Sequence, residues 1–454
     1  MKIVIVGAGE VGFHIASQLA LENKDVVMID KNPKAIRHVT DHIDIQVITG
    51  SGSSPLVLQD AGIRNADILL AVTDSDETNL SACMAAHILA PNIKKFARLR
   101  HADFDEFHDR FRDEPPYIDK IINPEIEVVK TIATLMSVPG AVDVGDFSDG
   151  RIQFIGVVLE KDSPVAGVRL SDIHNHTGAL PSLIAAIIRN ETLIIPNGND
   201  HLEAGDTVYF ISEGRRLLDM LRIFNQHAEP VHRVMIVGAG RIGSRLARLL
   251  EKKSIHTKII EKNPDRCTDL AEDLNKVIVL HGDGTDQTLL NEENIQDIDV
   301  MVTLTGDDQT NILASLLAGN LGVKKTITKL KKFSYLPLIN AIGIELVVSP
   351  RLSAINTILQ HIRRGKVLSA ILIKGEQAEA IEAEALESSG IVGKPLKNLP
   401  MPKGALITGI IRQNEIIIPT GESVIEPHDR VIIFAKKQAI PRIESQLTMK
   451  LESR

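Results

Sequence analysis

Val4-Ile5-Val6-Gly7-Ala8-Gly9-Glu10-Val11-Gly12 opens the chain, and Met235-Ile236-Val237-Gly238-Ala239-Gly240-Arg241-Ile242-Gly243 repeats it 231 positions later. In both copies an apolar strand pattern precedes the glycines and a helical pattern follows them. A single G-x-G-x-x-G motif is weak evidence, but two copies in the same setting indicate two dinucleotide-binding turns.

Composition restricts what else the chain is expected to do. Its 454 residues suffice for several domains, and 44% hydrophobic with 24% charged residues is typical of a globular protein. A net charge of −8, 3% aromatic residues and no Trp argue against a nucleic-acid partner. The short basic run 329–332 is expected to be solvated.

Cysteine content and hydropathy predict the compartment. Two cysteines, Cys83 and Cys267, fit a reducing environment and have no metal-ligand spacing. The first residues run directly into a strand pattern, so we expect no secretion signal. We find no apolar stretch of about 18 residues, the length that spans a bilayer. Association with a membrane is therefore expected only through a partner.

The repeat extends well beyond the glycines. An acid, Asp30 or Glu261, closes the second predicted strand of each copy, 18 residues after the third glycine, and a Lys-Asn-Pro sequence follows it. Equivalent features continue along both copies, and they are a small-residue turn (49–52 and 281–284), an apolar strand (68–72 and 300–304), a polar turn (73–79 and 305–311) and a basic residue (Arg98 and Lys329). Alternation of strands and helices predicts a parallel sheet with right-handed crossovers, a Rossmann-type domain in each half.

A second, smaller repeat follows each of these domains. The sequences Ile195-Pro196-Asn197-Gly198 and Ile418-Pro419-Thr420-Gly421 mark it, and both precede a strand pattern that starts near an Asp. Short strands between turn residues predict a small, mostly β domain. The expected fold class is α/β: two Rossmann-type, doubly wound parallel-sheet domains, each followed by a small α+β domain. The expected boundaries are 1–123 and 229–349 for the Rossmann-type domains, 124–140 and 350–366 for bridging helices, and 141–228 and 367–454 for the small domains.

Each glycine of the motif has a separate expected role. Gly7 and Gly238 permit the tight strand-to-helix turn, Gly9 and Gly240 admit a pyrophosphate, and Gly12 and Gly243 permit close helix packing. Backbone N–H groups and the helix dipole would hold the phosphates. Any tight strand-to-helix turn can use glycine for structure alone, and this remains the alternative.

Asp30 and Glu261 are candidates for binding ribose hydroxyls, which favours NAD over NADP because a carboxylate repels a 2′-phosphate. The alternative is that the acid caps the next helix, although Asn32 and Asn263 are better placed to do so.

Polar residues at the ends of later strands are further candidates. Thr73 and Asp74, and Thr305 in the second copy, lie at the edge where open parallel sheets bind ligands, and Arg98 is placed to reach a phosphate. Turn formation and an ordinary surface ion pair are the alternatives.

The two turns differ in charge. Glu10 in the first stands where Arg241 stands in the second, and Ser51 stands where Asp283 does. We expect the second site to accept a more anionic ligand such as ATP, unless both side chains simply face solvent. No catalytic or metal-binding constellation is evident, so nucleotide binding without chemistry points to regulation.

This combination resembles the RCK or KTN domains of potassium transport, with RCK-C-like small domains. The doubled order is similar to the cytosolic regulatory subunits of bacterial Trk potassium uptake systems. The resemblance implies a peripheral protein on the cytoplasmic face of the inner membrane. It also implies a homo-oligomer, a dimer or a tetramer ring, that binds NAD(H) and ATP or ADP beneath a TrkH- or TrkG-type transmembrane transporter subunit.

The family's nucleotide contacts carry over residue by residue. The positions that match in the first half are Gly7, Ala8, Gly9, Glu10, Val11, Gly12, Asp30, Thr73, Asp74 and Arg98. Those in the second half are Gly238, Ala239, Gly240, Arg241, Ile242, Gly243, Glu261 and Thr305, where Gly306 replaces the carboxylate of Asp74. Two other functions stay open, an NAD-dependent oxidoreductase and a nucleotide sensor of a different transporter.

Overall fold

A computed structural model describes residues 1–107, 110–138, 140–148, 150–177, 183–225, 231–332, 335–344, 346–362, 367–373, 377–413 and 415–448. Its chain divides into two compact units. The first unit comprises Met1–Val128 and Ser349–Ile362, and the second comprises Val129–Val348 and Arg363–Arg454.

The first unit contains a doubly wound α/β domain. Its elements are β1 (Lys2–Val6), α1 (Glu10–Leu21), β2 (Asp25–Asp30), α2 (Pro33–His42), β3 (Gln46–Thr49), α3 (Pro55–Asp60), β4 (Ile68–Ala71), α4 (Asp76–Leu89), β5 (Lys94–Arg98), α5 (Arg110–Asp113) and β6 (Lys120–Ile122). The strands form a parallel sheet in the order β3-β2-β1-β4-β5-β6. The order reverses direction between β1 and β4, and ligands of such sheets bind at the carboxyl ends beside this switch point.

Helix α6 (Pro124–Ser137) follows, and then the first small sheet begins. Its elements are β7 (Ala141–Phe147), β8 (Ile152–Val158), α7 (His174–Thr177), β9 (Leu183–Arg189), β10 (Thr192–Ile194), β11 (Thr207–Glu213) and α8 (Leu217–Ile223). The five strands pair antiparallel in the order β10-β9-β11-β8-β7.

The second half repeats this plan. Its parallel sheet has the order β14-β13-β12-β15-β16-β17. Its elements are β12 (Arg233–Val237), α9 (Arg241–Lys252), β13 (His256–Glu261), α10 (Pro264–Asp273), β14 (Ile278–His281), α11 (Gln287–Glu292), β15 (Val300–Thr303), α12 (Asp308–Asn320), β16 (Lys325–Lys329), α13 (Leu336–Ala341) and β17 (Leu346–Val348).

Helix α14 (Pro350–Ile362) leads to the second small domain. This domain is formed by β18 (Val367–Ile373), β19 (Ala378–Glu384), β20 (Ala405–Arg412), β21 (Glu415–Ile417), β22 (Arg430–Lys436) and α15 (Ile440–Thr448). Its antiparallel order is β18-β19-β22-β20-β21.

The two small sheets share one apolar core within the second unit. Phe154 of the first sheet stacks on Phe434 of the second with ring centroids 5.7 Å apart, and both side chains are fully buried. Offset aromatic pairs of this kind stabilise a core beyond the area that they bury.

Helix α14 joins the first unit, although it follows the second parallel sheet in sequence. It packs on α1 and contacts β6. Phe96 of β5 approaches His361 of α14 edge-on, with ring centroids 6.2 Å apart. A helix from the second half of the sequence therefore contributes to the domain that carries the first glycine turn.

The predicted fold class is confirmed. The strands predicted after each glycine helix, 25–29 and 257–260, are β2 and β13, and the strands predicted at 68–72 and 300–304 are β4 and β15. Asn32 and Asn263 cap α2 and α10 through their side-chain oxygens, as predicted. In the described part of the chain, no helix combines the length and the apolar character that a membrane crossing requires.

Candidate nucleotide sites

The fold itself requires glycine at the first and third glycine positions of the first turn. Gly7 has φ +113, and a Cβ there would lie 2.9 Å from the Thr73 backbone nitrogen. A Cβ at Gly12 would lie 1.9 Å from the Gly7 carbonyl oxygen. The turn and the close approach of α1 therefore require these two glycines.

Neither the backbone conformation nor the packing requires glycine at Gly9. Its φ of −67 and ψ of 178 suit any residue, and a Cβ built there would have no heavy atom within 4 Å. Gly9 is the N-cap residue of α1, where backbone N–H groups face outward. The open space beside it is the space that a phosphate group would occupy.

The second turn has the same geometry. Gly238 has φ +99, and a Cβ at Gly243 would lie 2.0 Å from the Gly238 carbonyl oxygen. Gly240, with φ −67 and ψ −178, again has nothing within 4 Å of its built Cβ.

The acid at the end of the second strand is held against each turn. Asp30 accepts hydrogen bonds from the backbone N–H groups of Ala8 (2.6 Å) and Asn32 (2.7 Å). Glu261 accepts from Ala239 and Asn263, both at 2.8 Å.

These bonds bear on the alternative role of the acid as a helix cap. Asn32 caps α2 by accepting from Lys34 N at 3.0 Å, so Asp30 orients the cap residue and does not cap the helix itself. Its carboxylate lies beside the glycine turn, at the edge where a ribose would be bound.

Asn79 organises the loop that follows β4. The fully buried side chain accepts from the Thr73 backbone N–H (3.0 Å) and hydroxyl (2.7 Å) and donates to the Arg98 carbonyl oxygen (2.8 Å). Asn311 makes the same bonds to Thr305 and Lys329 at 2.8, 2.7 and 3.1 Å. The threonine hydroxyl thus serves the loop itself, and the motif's asparagine is a residue whose role the sequence did not reveal.

Asp74 and Arg98 form an ion pair at 3.2 Å. Asp74 is 89% exposed, whereas Arg98 is only 15% exposed, and burial lowers the pKa of Arg98. Arg100, which the sequence did not single out, donates to the Asp74 carbonyl oxygen and lies 3.5 Å from Asp76. Two guanidinium groups therefore lie at the carboxyl edge of β4 and β5, beside the first turn.

Lysines occupy the corresponding positions of the second half. The expectation that the run 329–332 is solvated is wrong for Lys329, which is 7% exposed and donates to the Leu304 carbonyl oxygen at 3.0 Å. Lys331 donates to the Gly306 carbonyl oxygen at 2.5 Å. Carbonyl oxygens thus hold both ammonium groups, and the bond of Lys331 repeats that of Arg100 to the Asp74 carbonyl oxygen.

The variable residue of the first turn is also paired. Glu10, the first residue of α1, forms an ion pair with Arg351, the second residue of α14. The Arg351 side chain is 27% exposed and Glu10 54%. Glu10 is therefore exposed but paired, and its partner lies 341 positions away in sequence.

The small-residue turns after β3 and β14 press against the glycine-bearing strands. A Cβ at Gly52 would lie 2.0 Å from a Val6 methyl group, and one at Gly284 would lie 2.2 Å from Val237. Asp283 accepts hydrogen bonds from the Thr285 backbone N–H and hydroxyl and pairs with Lys262 at 3.2 Å, which together lower its pKa. The Asp283 carboxylate is therefore satisfied by these local contacts.

All predicted site residues of each half thus lie around one glycine turn. The carboxylate lies on one side, the threonine loop and a basic residue lie on the other, and the helix N-terminus lies between them. Dinucleotide-binding turns of parallel-sheet domains have this arrangement. Within the described residues, no cluster of three or more His, Cys, Asp or Glu side chains is arranged to hold a metal ion.

Family models match the chain in four segments. The TrkA-N domain matches residues 3–124 and 234–350, and the TrkA-C domain matches residues 154–225 and 380–448.

Relatives match over the full length. The chain is 38% identical to the "Trk system potassium uptake protein TrkA" of Azorhizobium caulinodans, with all of both chains covered. It is 38% identical to the protein of the same name from Halomonas elongata, over 96% of this chain and 95% of that one. It is also 37% identical to a Methanosarcina mazei "TrkA homolog 2", over 98% and 99%.

Solved structures share the fold. The GsuK RCK domain superposes with a TM-score of 0.61 at 18% identity, covering 98% of this chain and 94% of that one. The GsuK channel bound to NAD gives 0.60 at 18% identity, with 98% and 78% covered. Tandem TrkA-N and TrkA-C domains, together with full-length relatives, place the chain in the TrkA family of Trk potassium uptake proteins.

Proposed function

We propose that the chain is the nucleotide-binding regulatory subunit of a Trk-type potassium transporter. The observation that carries the proposal is the open glycine in each turn. Gly9 and Gly240 have ordinary backbone angles and no neighbour that excludes a side chain, so nothing within the fold calls for glycine there. A ligand that approaches the backbone closely is a physical reason for glycine at such a position.

The preferred ligand of the first site is NAD(H). Asp30 lies beside the turn, where its carboxylate accepts ribose hydroxyls and disfavours a 2′-phosphate. The turn and the α1 N-terminus bind the pyrophosphate, and Thr73, Asp74 and Arg98 lie on the far side of the turn. One structural neighbour, the GsuK channel bound to NAD, supports this choice of ligand.

The second site accepts a more anionic ligand, ATP or ADP, as well as NAD(H). Arg241 replaces Glu10 in the turn, and Gly306 replaces Asp74 in the loop. Lys331 donates to the Gly306 carbonyl oxygen in this loop. The exchange of Glu10 for Arg241 replaces a negative charge with a positive one at the helix N-terminus, which reduces the repulsion of a triphosphate. We expect Arg241→Glu to weaken ATP binding at this site by about tenfold, and unchanged ATP and NADH affinities would contradict this preference.

Binding controls flux by shifting a conformational equilibrium. A ligand shifts such an equilibrium only by its difference in affinity for two states. Coupling of about 1–3 kcal/mol is typical and changes the open fraction of a gate several-fold or more. The chain works as a homo-oligomer, a dimer or tetramer ring, and the ring adds the contributions of its copies.

The partner is a TrkH- or TrkG-type transmembrane subunit, and the chain sits peripherally on the cytoplasmic face of the inner membrane. Full-length similarity to Trk system potassium uptake proteins supports this assignment. The protein is not an enzyme. An assay that detects NADH consumption at ordinary enzymatic rates would favour the oxidoreductase alternative.

The test is potassium uptake at limiting external potassium in cells that lack the chain. Uptake should fall, the native chain should restore it, and affinity purification should recover the membrane subunit with it. Unimpaired uptake without the chain would contradict the proposal and would favour a nucleotide sensor of a different transporter.

A further inference from the structure

Arg351 lies at the mouth of the first glycine turn. It is the second residue of α14, a helix that packs on α1 within the first unit. Its guanidinium contacts the carboxylate of Glu10, which is the first residue of α1 and immediately follows the open Gly9. Arg351 thus comes from the second half of the sequence, whereas Glu10 belongs to the first parallel-sheet domain.

A phosphate bound at the α1 N-terminus would lie next to Glu10. The backbone N–H groups of the first turn and the helix dipole attract the phosphate, whereas the Glu10 carboxylate repels it. Arg351 changes this balance because a guanidinium satisfies a carboxylate or a phosphate with the same planar set of donors. The half-exposed Glu10 and a bound phosphate therefore compete for one guanidinium.

We propose that Arg351 is an anion-binding residue of the first site and senses the phosphate charge of its ligand. The inference rests on the nucleotide-binding function proposed above and names a residue outside the two glycine motifs. A ligand with more phosphate charge at the turn draws Arg351 from Glu10 more strongly, so Arg351 favours ligands with longer phosphate chains.

The experiment measures binding of NADH, ATP and AMP to the full chain by calorimetry in a Gly240→Ala background, in which the added methyl group is expected to block the second turn. Arg351→Gln should weaken ATP binding by about tenfold and AMP binding much less, because AMP carries fewer charges toward the guanidinium. The ATP affinity of Arg351→Lys should fall between those of the parent and Arg351→Gln. Glu10→Gln should tighten ATP binding because it removes the carboxylate that competes for Arg351.

Arg64→Gln is the matched control. Arg64 is an exposed arginine that precedes β4, at the amino end of the strands and away from the glycine turn, and its replacement removes the same charge. ATP affinity should be the same as in the parent. Thermal unfolding of each variant separates loss of the fold from loss of the contact.

Equal changes for ATP and AMP in Arg351→Gln, or no change at all, would overturn the inference while binding to the parent upholds the proposed function. Weaker ATP binding in Glu10→Gln would also overturn the inference. It would mean that the ion pair is purely structural, because removing either partner would then break the same contact and weaken binding. A parent chain that binds neither NADH nor ATP would overturn the proposed function, and the inference with it.

Discussion

Glu382 accepts two hydrogen bonds from Ser148, a residue 234 positions earlier in the chain: one from the hydroxyl at 2.5 Å and one from the backbone N–H at 3.1 Å. Ser148 follows the last residue of β7, and Glu382 belongs to β19, so the bonds join the two small sheets of the second unit. Both residues are buried, beside the shared apolar core. Arg430 approaches the same carboxylate at 3.5 Å from a half-exposed position.

Removing this carboxylate should weaken the pairing of the small sheets. Glu382→Ala leaves the buried N–H and hydroxyl of Ser148 without their acceptor, which we expect to cost about 2–4 kcal/mol in the free energy of unfolding. Urea unfolding of the full chain checks this. Glu387→Ala, which removes an exposed carboxylate just after β19, serves as the control and should change stability little. An equal effect of both substitutions would contradict the account.

Asp143 predicts a pH dependence in the same unit. Burial raises the pKa of Asp143 from 3.8 to about 6, against backbone and Tyr209 hydrogen bonds that lower it. Because the folded-state pKa lies above the unfolded one, the stability that this group contributes is greatest below about pH 4 and is lost as pH rises through 6.

Asp143→Asn removes that loss. The variant should gain about 1–2 kcal/mol over the parent at pH 7, with the difference vanishing near pH 4, since Asn cannot ionise. Unfolding midpoints of both proteins across this range provide the measurement. A constant difference at all pH values would show that Asp143 does not titrate as stated.

Asn79 and Asn311 provide a matched pair of loop residues. Each is fully buried, and each ties its threonine loop to the end of the next strand. Asn79→Ala should cost about 2–4 kcal/mol because several buried backbone groups lose their partner. It should also abolish nucleotide binding at the first site only, and Asn311→Ala should do so at the second site only.

Binding stoichiometry in each single variant tests this assignment. Loss of nucleotide binding at both sites after either substitution would mean that the loops act on overall stability and not on one site.

Asp74 and Gly306 allow a reciprocal exchange of charge. Asp74→Asn releases Arg98 from its ion pair, so ATP should bind the first site several-fold more tightly. Gly306→Asp introduces the carboxylate into the second loop, where a Cβ has no neighbour within 4 Å, and should weaken ATP there to a similar extent. Calorimetry with ATP, in chains whose other turn is blocked, provides the comparison. Shifts of the same sign at both sites would contradict the charge argument.

The sequence predicted the scaffold because its signals are local. Strand, glycine turn, helix and acid lie within about 30 residues in each half, and they define a strand-turn-helix unit without knowledge of distant contacts. The glycine roles followed in the same way, since the clash of a Cβ at Gly12 involves Gly7, five residues earlier.

Such local patterns could not predict contacts between segments that are distant in sequence. Nothing near Glu10 in sequence indicates Arg351, and nothing near Ser148 indicates Glu382. The burial of Lys329 was missed for a related reason. Its neighbours in sequence are charged, but its ammonium group bonds to the carbonyl oxygen of Leu304, 25 positions earlier.

The most direct test of the account is the number of nucleotides bound per chain in variants of the open glycines. Gly9→Ala and Gly240→Ala introduce a methyl group where the fold has room for one, so the unfolding midpoint should change little. We predict two ligands per chain for the parent, one for each single variant and none for the double variant, by calorimetry with NADH and with ATP. A folded double variant that binds either nucleotide as the parent does would contradict the claim that these turns are the nucleotide sites.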